Sequence, residues 1–204
     1  MSLRCSPRLL AVTLAATLSL AASAQVPDLI EGDSIPENAT KDWTLGATGA
    51  RGWIHSEKLV TSNARQIAIT AVDEESPAAK VLRVGDVLLG VGGQPFSFDP
   101  RVEFGRALTL AESKSGAGKL RVTRWRRGRE REVVLRIPTL GDYSETAPFD
   151  CSKSEKILER GCRALAEQME QPDYRPNPIP RALNALALLA SGERKYLSLV
   201  RREA

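Results

Sequence analysis

Histidine occurs once in these 204 residues, at His55. A Ser-His-Asp triad would have to be built on that residue alone, and a zinc site that needs a histidine pair has none to use. No Gly-x-Ser-x-Gly elbow is present either, so no catalytic set is expected. Cysteine is nearly as scarce, with Cys5, Cys151 and Cys162. On one helix the last two would lie up to ~16 Å apart at 1.5 Å per residue, well beyond the ~7 Å that a disulfide spans. So few imidazole and thiolate donors leave no ligand set for a metal, and no cofactor is expected. Long apolar runs are missing too. The one candidate, Leu9 to Ala22, has about 14 residues where a membrane span needs about 20. A strong excess of one charge is also absent. The 29 basic and 25 acidic residues give +4, too weak a surplus to point to nucleic acid.

What is present begins with Arg4 and Arg8, then the apolar run, then Ala22-Ser23-Ala24 before Gln25. This is the pattern of a secretory signal at 1–24 with an A-x-A cleavage site. Cleavage would remove two arginines and no acid, leaving a charge of +2. The expected product is exported, periplasmic or secreted, with no stable membrane anchor. Residues 25–40 carry prolines and scattered acids without periodicity and read as a flexible leader.

The centre of the chain is Arg65 to Phe98. Gln66 to Val72 suits a half-buried strand, because β-branched residues alternate with small ones. Ser76-Pro77-Ala78-Ala79-Lys80 predicts about one turn of helix, capped by Ser76 with Pro77 at the first position. Gly85-Asp86 turns the chain into an apolar strand, Val87 to Val91, and Gly92-Gly93 reverses it into Gln94-Pro95-Phe96. This order resembles the middle of a PDZ domain of the kind found in bacterial periplasmic proteases. The resemblance covers residues 41–138. It implies an α+β fold, a partly open β-barrel or sandwich capped by two helices.

It also implies a peptide groove. A carboxylate-binding loop would be Gly49, Ala50, Arg51, Gly52 and Trp53, with glycines letting backbone N–H groups converge on a ligand's C-terminus. Arg51 departs from the family pattern, which has an apolar residue there. The peptide would pair with Trp53, Ile54 and His55. Asp99 as cap and Pro100 at the first position start a helix that runs to about Ser113. Its Arg101, Val102, Gly105 and Leu108 would form the other wall.

Lys119 to Ile137 predicts a hairpin turning at Arg127-Gly128. It holds seven arginines, read as a solvated edge that discourages strand-to-strand aggregation, with Glu130 and Glu132 beside them. Residues 139–151 form a linker. In 152–204, Ser152-Lys153-Ser154-Glu155 fits a capping box. Three helices are expected at 153–169, 181–191 and 193–204, the second turning Leu183, Leu186 and Leu189 inward. Short helices joined by Pro and Gly resemble the start of an α/α-toroid-like repeat region.

The expected function is a non-enzymatic, exported module that captures a protein C-terminus or extended peptide by strand addition. The alternative is the substrate-recruiting N-terminal part of a larger enzyme, a protease or toroid type, whose catalytic domain is absent here. A third reading is a structural adaptor whose groove is filled by the protein's own tail.

Overall fold

A computed structural model describes residues 26–39 and 41–203. The proposed signal at 1–24 lies outside the described residues. The fold is mixed α+β with an open sheet whose strand pairs are all antiparallel. The strands are β1 (Trp43–Thr44), β2 (Ala50–Trp53), β3 (Ile67–Val72), β4 (Val87–Val91), β5 (Gln94–Pro95), β6 (Lys119–Arg126) and β7 (Arg129–Arg136). Their order across the sheet is β1-β2-β3-β4-β6-β7, with β5 folded back on β4. The helices are α1 (Pro100–Glu112), α2 (Ser152–Met169), α3 (Pro178–Ala190) and α4 (Leu197–Glu203). None of the described helices is long and apolar enough to cross a membrane.

The local causes are those the residues suggest. Alternation buries Ile67 and Ile69 on β3, while β4 buries Val87 and Leu88. Side chains of this size stabilise by about 1.5–3 kcal/mol each when fully buried. With Phe104 and Ala111 of α1 and Leu120, Val122 and Leu135 of the β6–β7 hairpin, Ile67, Ile69 and Leu88 form one apolar cluster. Asp99 caps α1 by accepting from Arg101 N at 2.9 Å, and Pro100 opens the helix without wasting a donor.

Three expectations change. Residues 77–80 form turns, not a helix, so one helix rather than two packs on the sheet. Leu82 N donates to Ala78 O at 2.7 Å, a single helical turn that Arg83 does not continue. Within the expected flexible leader, Leu29 N donates to Gln66 Oε1 at 2.8 Å and Gln66 Nε2 donates to Asp28 Oδ1 at 2.7 Å. The capping box is not formed: the residue before α2 is Cys151, which gives no side-chain cap.

α2, α3 and α4 enclose a second cluster of Cys162, Ala166, Met169, Leu188, Tyr196 and Leu199. The inward face of α3 is Ala185 and Leu188. Leu183, Leu186 and Leu189 face out instead, each more than half exposed. Only one apolar face of α3 meets α2 and α4, and it is not the one with most leucines.

Candidate functional site

The expected groove wall is α1, and part of the strand beside it, Arg51 and Gly52, is paired to β1. β1 pairs with β2 on the edge opposite β3, in the register Trp43↔Gly52 and Thr44↔Arg51. Leu45 N donates to Ala50 O at 2.9 Å and closes the hairpin. The turn is a 3-10 segment, Gly46–Thr48, followed by Gly49 in the left-handed region at φ 69. Gly46 also packs closely on the helix, since a Cβ there would stand 2.6 Å from Leu108 Cδ2 of α1. At the other end of the segment the Arg101 guanidinium lies 3.8 Å from the centre of the Trp43 ring. Residues 43–46 therefore run along α1, between it and β2.

The flank is pinned by charge. Arg51 Nε donates to Asp42 Oδ1 at 2.9 Å, and Thr70 Oγ1 donates to Asp42 Oδ2 at 2.8 Å. The hydrogen bond from Arg51 first, and the one from Thr70 next, hold the Asp42 carboxyl below the usual carboxylate range. Arg51 is half exposed and Asp42 partly so, which screens the pair and leaves it contributing little. Its effect is to set register.

Gly49 to Trp53 is not an open nest. Arg51 and Gly52 have a strand neighbour on each side, and Gly49 N is spent on Gly46 O at 3.2 Å. Gly52 is glycine for packing: a Cβ would stand 2.5 Å from Ile67 Cγ2 and 3.1 Å from Ala68 O. Arg51 does hold a carboxylate, but it is that of Asp42. Of the expected pairing strand only Trp53 lies in β2, and β1 reaches no further along β2 than Gly52. Trp53 pairs with Ala68 of β3, and Ile54 is buried in the core. The His55 ring meets Trp53 edge-on with centroids 6.2 Å apart, and its Nε2 is shielded without a partner among the described residues.

On α1 the four expected residues divide. Arg101 and Leu108 meet the 43–46 segment. Val102 and Gly105 instead line a shallow depression of about 630 Å³ on the outer side of the helix, which Arg101 also borders. The residues that reading by motif missed are Asp42, Trp43 and Thr70. The one signal for them was Arg51, a charged residue in an otherwise apolar slot that needed an acid nearby.

A family described as a domain of unknown function (DUF6288) matches residues 154–204. No curated protein matches. Among solved structures, an HtrA-type protease, AlgW, with decapeptide aligns at 22% identity and a TM-score of 0.33. The match covers 52% of this chain and 30% of that one, so the chain spans under a third of that protein's length.

Proposed function

We propose that residues 41–138 form a PDZ-like peptide-binding module, in which an extended segment adds to β2 alongside α1, and that β1 is its resident occupant. The observation that carries this reading is Trp43–Thr44, an extended segment of the chain's own, paired to β2 with its side chain held by Arg101. A cleft that seats this segment has the backbone groups and the width to seat another. The occupant is internal to the chain, which favours recognition of an extended strand over capture of a terminal carboxylate. In this reading the chain binds and does not catalyse, and it works outside the inner membrane once 1–24 is removed. The segment 152–204 is the start of an α/α array, a reading supported by the exposed stripe Ile179, Leu183 and Leu186 on α3.

A peptide-library screen on the full chain and on Trp43→Ala tests the module. An intramolecular competitor lowers apparent affinity by the fraction of molecules that are open. Trp43→Ala is therefore expected to bind the selected peptides about tenfold more tightly than wild type. Folded proteins of both kinds that capture no peptide would overturn the proposal.

A further inference from the structure

The tip of the β6–β7 hairpin carries its arginines in an unexpected arrangement. The register pairs Arg124 with Arg131 and Arg126 with Arg129. Like charges directly opposite destabilise a sheet. The acids that balance them in sequence do not reach them, because successive residues of a strand face opposite ways. Glu130 is opposite Trp125 and Glu132 is opposite Thr123 on the other face, where Glu132 meets Arg121 at 3.9 Å.

On the arginine face, Arg124, Arg126, Arg127, Arg129 and Arg131 line a depression of about 440 Å³. The carboxylate beside it is Asp86, buried at 1% exposure and already taken by Arg126 Nη2 at 2.7 Å and Arg83 N at 2.8 Å. Arg124 Nη1 donates to Val81 O at 2.9 Å, while its Nε is shielded and unpartnered among the described residues. Burial foremost, and then Arg126, with Arg131 and Arg83 adding to it, push the Arg124 guanidinium down against the pull of Asp86. Charges that only protect an edge would serve from β7 alone, on either face. Here two of the four stand on the inner strand.

The second observation is the edge itself. β7 ends the sheet, and among the described residues the backbone groups of Arg129–Arg136 bond to no strand but β6. We infer that this edge is a docking site for an extended acidic polypeptide, which adds antiparallel or parallel to β7 with carboxylates at alternate residues against Arg129 and Arg131. Residues i and i+2 of any strand repeat at about 6.6–6.8 Å, so an alternating acidic peptide presents one carboxylate per arginine. Polyphosphate or nucleic acid would satisfy the charge but leave the free backbone edge unused.

The site is separate from the β2 cleft, and Trp43→Ala should leave it unchanged. The test is fluorescence anisotropy on the full chain with a labelled peptide alternating Glu and Thr. The controls are the same peptide N-methylated on alternate backbone nitrogens, a block-ordered peptide of equal composition, and inorganic polyphosphate. Both arginines to be changed are exposed, so Arg129→Ser with Arg131→Ser should fold. The alternating peptide is expected to bind, to lose about tenfold in affinity on the double variant, and to weaken further with salt. The N-methylated and block-ordered peptides should bind far less. Equal binding of the N-methylated peptide, tighter binding of polyphosphate than of the alternating peptide, or no binding by the alternating peptide would each overturn the inference.

Discussion

Cys151 stands immediately before α2, buried, with Ser144 N donating to its Sγ at 3.4 Å. Hydrogen bonding by the Ser154 side chain chiefly, then by backbone groups of Ser144 and Ser154, lowers its thiol from 9.0 to about 6. A group whose folded value is depressed stabilises the fold above its unfolded value and loses that contribution as pH falls to the folded one. Wild type should therefore gain in melting temperature over Cys151→Ser as pH rises from about 6 to 9. Paired thermal melts measure it, and a difference that stays flat across that window counts against a thiolate at this position. The spacing of the two cysteines was enough to argue against a disulfide, and both are free thiols. Their surroundings were not legible, because Ser144 comes from a segment with no periodicity to place it.

Among the elements, β2 differs most from its sequence reading. Glycine at 52 suggested an anion nest, and Gly52→Val would then have harmed binding more than folding. The contact with Ile67 reverses that expectation. Gly52→Val should cost about 1–3 kcal/mol of stability through overpacking, seen as a lower urea midpoint. An unchanged midpoint would return the glycine to a purely functional role. β3, β4, α1 and the β6–β7 hairpin were legible because their signals are local: alternation, Gly92-Gly93, Asp99-Pro100 and Arg127-Gly128. The pairing of Trp43 with Gly52 was not, since a two-residue strand has no period. The inward face of α3 failed for a related reason. Periodicity finds an apolar face, but which one is covered depends on the helices available to cover it.

For the whole molecule, the two apolar clusters are joined by charge. Lys153 of α2 is buried, and its Nζ comes within 2.8 Å of Glu112 Oε2 at the end of α1, close but off the direction of a hydrogen bond. The Tyr143 ring lies 4.5 Å from the same ammonium, and Lys156 Nζ donates to Leu140 O at 3.0 Å. Removing one partner of a buried pair strands the other charge, at a cost of about 3–5 kcal/mol. Glu112→Ala should therefore loosen the helices from the sheet and open 141–151 to proteolysis, while Glu112→Ala with Lys153→Met restores most of the protection. Cleavage as slow in Glu112→Ala as in wild type would mean that the pair does not hold the two parts together. Neither apolar cluster includes a residue of the other, and patterns of hydrophobicity gave no sign of the Lys153–Glu112 pair between them.

Occupancy of the β2 edge by Trp43 and Thr44 also sets a clock. On the proposed reading a second strand cannot enter until the first has left, so arrival of a peptide would wait on an opening step that belongs to the protein alone. At low peptide concentration, encounters limit the observed rate. At high concentration the rate levels off at the frequency with which Trp43 slips from beneath Arg101, whatever peptide is waiting. Selectivity among peptides then resides in how long each one stays.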